Sequence, residues 1–254
     1  MDFAKATEAV RQTINAWVGE QTKDKIKDLL HAGDLDVQTT LVLTNAIHFK
    51  GDWAIQFDRT LTRDGDFHVS ADKTVRAPMM SQTGDFDYAE TKDVQVLRMP
   101  YAGDELSMIV FLPREAGGLP AVEKALTPDG LAKLLKGLRK TKLQVSFPRF
   151  RVETRYDLQE PLSAMGMADA FGSKADFSGM DGKRDLFISK VIHQAFVDVN
   201  EEGTEAAAAT AVVIAKNGVS RVKVFRADRP FLFVIRHEKT GLILFLGRVL
   251  NPAS

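Results

Sequence analysis

The chain has 254 residues, 44% of them apolar and 27% charged, enough apolar material for a packed core and a composition that argues against disorder. Lys plus Arg and Asp plus Glu both number 34, so the formal balance is zero and gives no reason to expect nucleic acid or an anionic membrane as a partner. The absence of cysteine excludes disulfides, thiolate metal sites and cysteine nucleophiles, and no apolar run reaches the ~18–20 residues of a membrane span.

Residues 4–19 read as an amphipathic helix, with Val10, Ile14, Trp17 and Val18 recurring at three- and four-residue spacing. A second short helical patch is predicted from Lys25 to Leu30. From Leu41 to Trp53 the pattern becomes an almost continuous apolar run rich in strand formers, which predicts a strand buried on both faces. Val96 to Pro100 and Leu106 to Leu112 flank a turn at residues 101–105 and read as a hairpin. Helical segments are predicted around 120–139 and 157–166. Between them Leu143, Val145 and Phe147 alternate with polar residues as a strand does. Ile188 to Val199 is another strand. Phe231 to Arg236 and Leu242 to Leu246 flank His237-Glu238-Lys239-Thr240-Gly241, a second hairpin signal. No internal repeat or linker-like segment occurs. These elements predict an α+β chain, one domain over residues 1–254, dominated by sheet.

Catalytic and cofactor motifs are missing. The five histidines, His31, His48, His68, His193 and His237, show no paired metal spacing. There is no Gly-X-Ser-X-Gly elbow, phosphate loop or dinucleotide fingerprint. Asp181-Gly182-Lys183-Arg184 contains a Gly-Lys pair but lacks the upstream glycine at the required spacing. The expectation is therefore no metal and no cofactor; the missing motifs weaken the case for an enzyme without excluding one, because catalytic triads are spread through a sequence. The first ten residues lack the basic head and apolar block of a signal peptide.

The most unusual stretch is Glu201 to Ala215, Glu-Glu-Gly-Thr-Glu-Ala-Ala-Ala-Ala-Thr-Ala-Val-Val-Ile-Ala. By propensity alone its alanines fit a surface helix after a break at Gly203. Against that, Thr210, Val212, Val213 and Ile214 are β-branched and prefer strand. A period of two puts Thr204, Ala206, Ala208, Thr210 and Val212 on one face, all small and uncharged. It puts Glu205 on the other face with Ala207, Ala209 and Ala211. Such a segment can be buried as a strand on one side without burying a charge.

In this setting the residues Glu201, Glu202, Gly203, Thr204, Glu205, Ala206, Ala207, Ala208, Ala209 and Thr210 resemble the hinge of an inhibitory serpin's reactive loop. Phe225 to Arg236, containing Arg229-Pro230-Phe231, is similar to the serpin signature. Gly241 to Pro252 is similar to that family's C-terminal strand and tail. Upstream, Leu43-Thr44-Asn45-Ala46-Ile47-His48-Phe49-Lys50-Gly51-Asp52-Trp53 is similar to the third strand of its main sheet, and Pro78-Met79-Met80 and Met99-Pro100-Tyr101 stand in the expected order. The resemblance runs from near residue 3 to the end.

The resemblance implies a serpin fold, here without its first third, with a truncated gene preferred over a fragment or a diverged short form, and of prokaryotic type. It implies a reactive loop over about 201–224 and a serine protease inhibitor rather than an enzyme. A protease attacks the loop, forms an acyl-enzyme and is trapped as the loop inserts as a new strand. Gly203 is then the pivot and Thr204 the first residue to enter the sheet. Counting seventeen places from Glu201 puts the reactive bond at Asn217–Gly218, with Lys216–Asn217 as the alternative. Asn45 and His193 match a buried polar gate, Trp53 a tryptophan at the sheet's opening, and Arg149 with Glu201 a salt bridge at the loop's base. The expected partner is a trypsin-like or subtilisin-like serine protease, with a cysteine protease as a variant. The expected state is a monomer when complete, secreted, with the cytoplasm as the alternative. Competing readings are a non-inhibitory serpin acting as a binding or chaperone module, and a non-functional fragment.

Overall fold

The computed structural model of the protein describes residues 3–204 and 222–253. In chain order the elements are α1 (Phe3–Gln21), β1 (Leu41–His48), β2 (Gly51–Asp52), a 3-10 turn (Arg59–Leu61), β3 (Arg63–Ser70), β4 (Lys73–Glu90), β5 (Val94–Pro100), β6 (Leu106–Pro113), α2 (Leu119–Ala125), α3 (Pro128–Lys136), β7 (Arg139–Pro148), β8 (Phe150–Asp157), α4 (Gln159–Leu162), α5 (Ser178–Asp181), β9 (Ile188–Val199), β10 (Gly203–Thr204), β11 (Lys223–Arg226), β12 (Phe231–His237) and β13 (Ile243–Val249). The chain divides into two compact units, Met1–Phe49 with Val152–Val197, and Lys50–Arg151 with Asp198–Ser254.

In the first unit α1 buries Val10 and Val18 against Ile26, Leu29, Leu30 and Leu35 and against Ile192 and Phe196 of β9. Ile14 packs at the edge of this cluster, but Trp17 is 56% exposed and lies off the apolar stripe expected of it. The helical patch expected at Lys25 to Leu30 does not form. Lys23 and Asp24 adopt positive φ of 52° and 61°, which ends regular helix. The backbone of Leu30 is instead met on both sides by Asn15, whose amide donates to its carbonyl at 2.8 Å and accepts from its N–H at 2.9 Å. β1 pairs in parallel with β9, with Asn45 opposite His193. The expectation of a strand buried on both faces fails: Leu43 is 42% exposed and Asn45 is exposed, while Val42 and Ala46 face the core. One apolar face suffices to hold a strand, and the apolar run overstated the second.

The second unit carries an eight-stranded sheet in the order β11-β7-β4-β5-β6-β12-β13, with β3 pairing β4. Both predicted hairpins are present, as β5–β6 and β12–β13. The β3–β4 ribbon was not foreseen from the sequence. The predicted helical stretch at 120–139 is two helices packed over Val94, Val96, Ile109, Phe111, Leu232 and Val234. The second starts where Thr127 caps the N–H of Gly130 at 3.1 Å and Pro128 presets the first turn, and it ends on Lys133 and Lys136, which favour the C-terminal dipole. Phe147, Phe150, Phe231 and Phe233 form an aromatic cluster with ring centroids 5.4–5.9 Å apart. That cluster fixes the corner between β7 and β8, where Arg149 stands.

Candidate functional site around Gly203 and Thr204

The residues predicted for the hinge root lie in the second unit and are held by its own elements. After β9 ends at Val199, the chain turns at residues 200–202, where Asn200 N–H donates to Gly203 O at 2.9 Å. It then returns as β10. There Thr204 pairs antiparallel with Val199 and with Gly51, and Gly203 pairs with Asp52. Thr204 is fully buried, and its hydroxyl is 3.0 Å from that of Tyr101. The first residue of the small, uncharged run therefore already occupies a strand position between β2 and the end of β9.

Gly203 has a second reason to be glycine besides the pivot that the resemblance implies. Its φ is +153°, and a Cβ there would stand 2.2 Å from Gly51 O, 2.5 Å from Asp52 Cα and 2.8 Å from Trp53 N. Close backbone packing against β2 leaves no room for any side chain.

The segment that follows β2 wraps the two glutamates. Trp53 N–H donates to Glu202 O and Phe57 N–H to Glu201 O, both at 2.8 Å. Trp53 is buried and stacked on Tyr101 at 4.6 Å between centroids, and its indole N–H donates to Asn200 O at 3.0 Å. The Glu201 side chain, 1% exposed, accepts from Arg149 Nε at 2.7 and 2.8 Å and stands 2.6 Å from Arg149 Nη2. It also accepts a hydrogen bond from the Thr62 hydroxyl. Burial works against its charge, but the hydrogen bonds from Arg149 and Thr62 outweigh burial and hold its carboxyl below the ordinary value near 4.5. Glu202 is paired with Arg59. Burial alone raises the Tyr101 phenol far above its ordinary value, with the Thr204 hydrogen bond opposing it.

Arg59, Thr62 and Tyr101 are the contacts that sequence reasoning did not assign to this site. Arg59 and Thr62 follow Asp58, whose carboxylate caps Thr60 N–H at 2.8 Å, so the Asp-X-Thr spelling announces a turn but not its partners.

Asn45 and His193 belong to the first unit, where Asn45 Oδ1 and His193 Nδ1 are 2.8 Å apart. They are not buried as expected: Asn45 is exposed and His193 half-buried, on the face of the β1–β9 pair that also leaves Leu43 42% exposed. Glu205 to Thr210, Lys216, Asn217 and Gly218 lie outside the described residues.

A family model described as Serpin (serine protease inhibitor) matches residues 1–252. The chain is 47% identical over 260 residues to the leukocyte elastase inhibitor of Bos taurus, covering 99% of this chain and 69% of that protein. It is 48% identical over 257 residues to Serpin B8 of Homo sapiens, covering 99% and 68%. Among solved structures, uncleaved ovalbumin superposes with a TM-score of 0.90 at 34% identity, covering 99% of this chain and 65% of that one. The chain thus spans about two thirds of the length of the relatives it matches. Both of these sequence relatives are mammalian, which gives no support to the expected prokaryotic type. With the family model matched almost end to end, this chain belongs to the serpin family.

Proposed function

We propose that this chain carries the reactive loop of a serine protease inhibitor that acts once and is consumed, and that residues 1–254 work as a single serpin domain. The observation that carries the reading is the position of Thr204, paired with Val199 and Gly51 at the start of a small-residue run that can continue as a strand. The names of the relatives, elastase inhibitor and serpin B8, support the same class. The protease serine attacks the carbonyl carbon of Asn217 and the bond to Gly218 breaks, the new amine leaving with a proton. The acyl ester on Asn217 persists while the loop inserts. Lys216–Asn217 is the alternative bond. Glu201 with Arg149 anchors the loop base, Trp53 supports it, and Asn45 with His193 ties β1 to β9, the strands that part.

The test is to mix the protein with trypsin, subtilisin and leukocyte elastase and to analyse the products by denaturing gel and mass spectrometry. A band at the summed mass that survives denaturant is expected, with a released peptide beginning at Gly218, or at Asn217 if the alternative bond is used. Clean loop cleavage with the protease still active overturns the inhibitor reading in favour of a binding module. Secretion, with the cytoplasm as the alternative, is a separate proposal on which the relatives' names give no support to secretion; fractionation of the source cells decides it.

A further inference from the structure

Glu202 is buried to the same degree as a core residue, with its side chain 8% exposed, yet it is a carboxylate. Arg59 Nη2 pairs with Oε1, and Oε2 is buried with no hydrogen-bond partner among the described residues. The remaining Glu202 contacts are main-chain: its N–H donates to Asn200 Oδ1 at 3.0 Å and its carbonyl accepts from Trp53. On the paired strand, Asp52 Oδ1 is likewise buried without a hydrogen-bond partner among the described residues, and Asp52 stands opposite Gly203. A buried carboxylate with one free oxygen, next to a strand bearing another, is tolerable only while its counter-charge stays in place. The Arg59 side chain is 61% exposed and comes from the 3-10 turn after β2, so this counter-charge sits on the surface and can be withdrawn without unpacking the core.

We propose that Arg59 is a positioning residue for loop insertion. Its hold on Glu202 keeps Gly203 and Thr204 docked as β10, and this sets the share of protease encounters that end in trapping rather than in simple cleavage. The last clause rests on the inhibitor reading above; the docking itself does not. Without the guanidinium, the Glu202 carboxylate leaves its buried place for water, and the two residues of β10 attached to it lose their place. Insertion then starts from a released hinge, and the acyl-enzyme has time to hydrolyse.

Four proteins separate the outcomes: wild type, Arg59→Met, Arg59→Lys, and Arg59→Met with Glu202→Gln, in which the amide needs no cation. Hydrogen exchange at the Gly203 and Thr204 amides reads docking. Exchange should rise by about tenfold or more in Arg59→Met, return most of the way in Arg59→Lys and in the double variant, and leave the β5–β6 hairpin unchanged. The number of inhibitor molecules consumed per protease trapped, measured with leukocyte elastase, trypsin and subtilisin, should rise several-fold in Arg59→Met alone and recover with exchange. Unchanged exchange in Arg59→Met overturns the proposal, as does an equal rise throughout the chain or no recovery in the double variant. If wild type traps none of the three proteases, the inhibitor reading fails instead, and the exchange result still decides whether Arg59 docks β10.

Discussion

Replacing Gly203 by alanine tests whether the loop's root is as rigid as its packing implies. The added methyl would meet Gly51 O at 2.2 Å, Asp52 Cα at 2.5 Å and Trp53 N at 2.8 Å. All three are main-chain atoms, so no side chain can swing aside. Two costs combine, the backbone conformation at φ +153° and the overpacking. Each is about 1–3 kcal/mol, together about 2–6 kcal/mol. A domain of ordinary stability has about 5–15 kcal/mol in all. Denaturant unfolding of Gly203→Ala should show this loss, accompanied by a changed fluorescence of Trp53, whose N–H bonds to Glu202 O and whose ring stacks on Tyr101. Gly179→Ala is the control: its φ is not positive, nothing lies within 4 Å of the new Cβ, and a change within about 0.5 kcal/mol is expected. A loss at Gly203 no larger than about 0.5 kcal/mol would refute the reasoning, because the close approach to β2 could not then be obligatory.

Arg149→Met strands the Glu201 carboxylate, and about 2–3 kcal/mol should be lost in thermal unfolding, less than the 3–5 of a fully enclosed pair because the Arg149 side chain is 42% exposed. The depressed Glu201 pKa adds a pH signature. Its contribution is complete above the unfolded value near 4.5 and disappears as pH falls through the lower folded value, so stability measured from pH 6 down to 3 should fall less steeply in Glu201→Gln than in wild type; parallel curves would contradict the assignment. Tyr101→Phe leaves the buried Thr204 hydroxyl without its partner and should cost about 1–2 kcal/mol, while Tyr101→Phe with Thr204→Val should cost less than the two single changes added together.

Local patterns in the sequence located most elements of the sheet. β9 has the bounds Ile188–Val199 that its apolar content indicates, and both hairpins follow from alternation around a turn. The β3–β4 ribbon stayed hidden because its residues 63–76 carry Arg63, Asp64, Asp66, His68, Lys73 and Arg76, and its outer end is largely exposed on both faces. What holds β4 is pairing with β7 from Met79 to Tyr88, a long-range contact that leaves no local pattern. The hinge root divides in the same way. Gly203, Glu201 and Arg149 could be named only through the family resemblance, whereas Arg59 and Thr62, which stand 143 and 139 residues from their glutamates, could not, since no spacing rule reaches that far.

A fixed root and a featureless run belong together physically. Strands rich in small side chains specify their register weakly, since a slip of one residue costs them little packing. Here a slip would be costly for one reason alone: it would turn Glu205 toward the face shared by Thr204, Ala206, Ala208, Thr210 and Val212. The phase must therefore be set where the chain is most constrained, at the pairs Gly203–Asp52 and Thr204–Val199. One alanine inserted after Thr204 leaves every contact of the root in place and reverses the phase of all that follows. On the inhibitor reading, that variant should be cleaved by the protease without forming the denaturant-resistant complex. Adding Glu205→Ala to the insertion removes the only charge the shifted phase would bury, and complex formation should return. An insertion variant that traps protease as well as wild type would mean that the register is not set at the root.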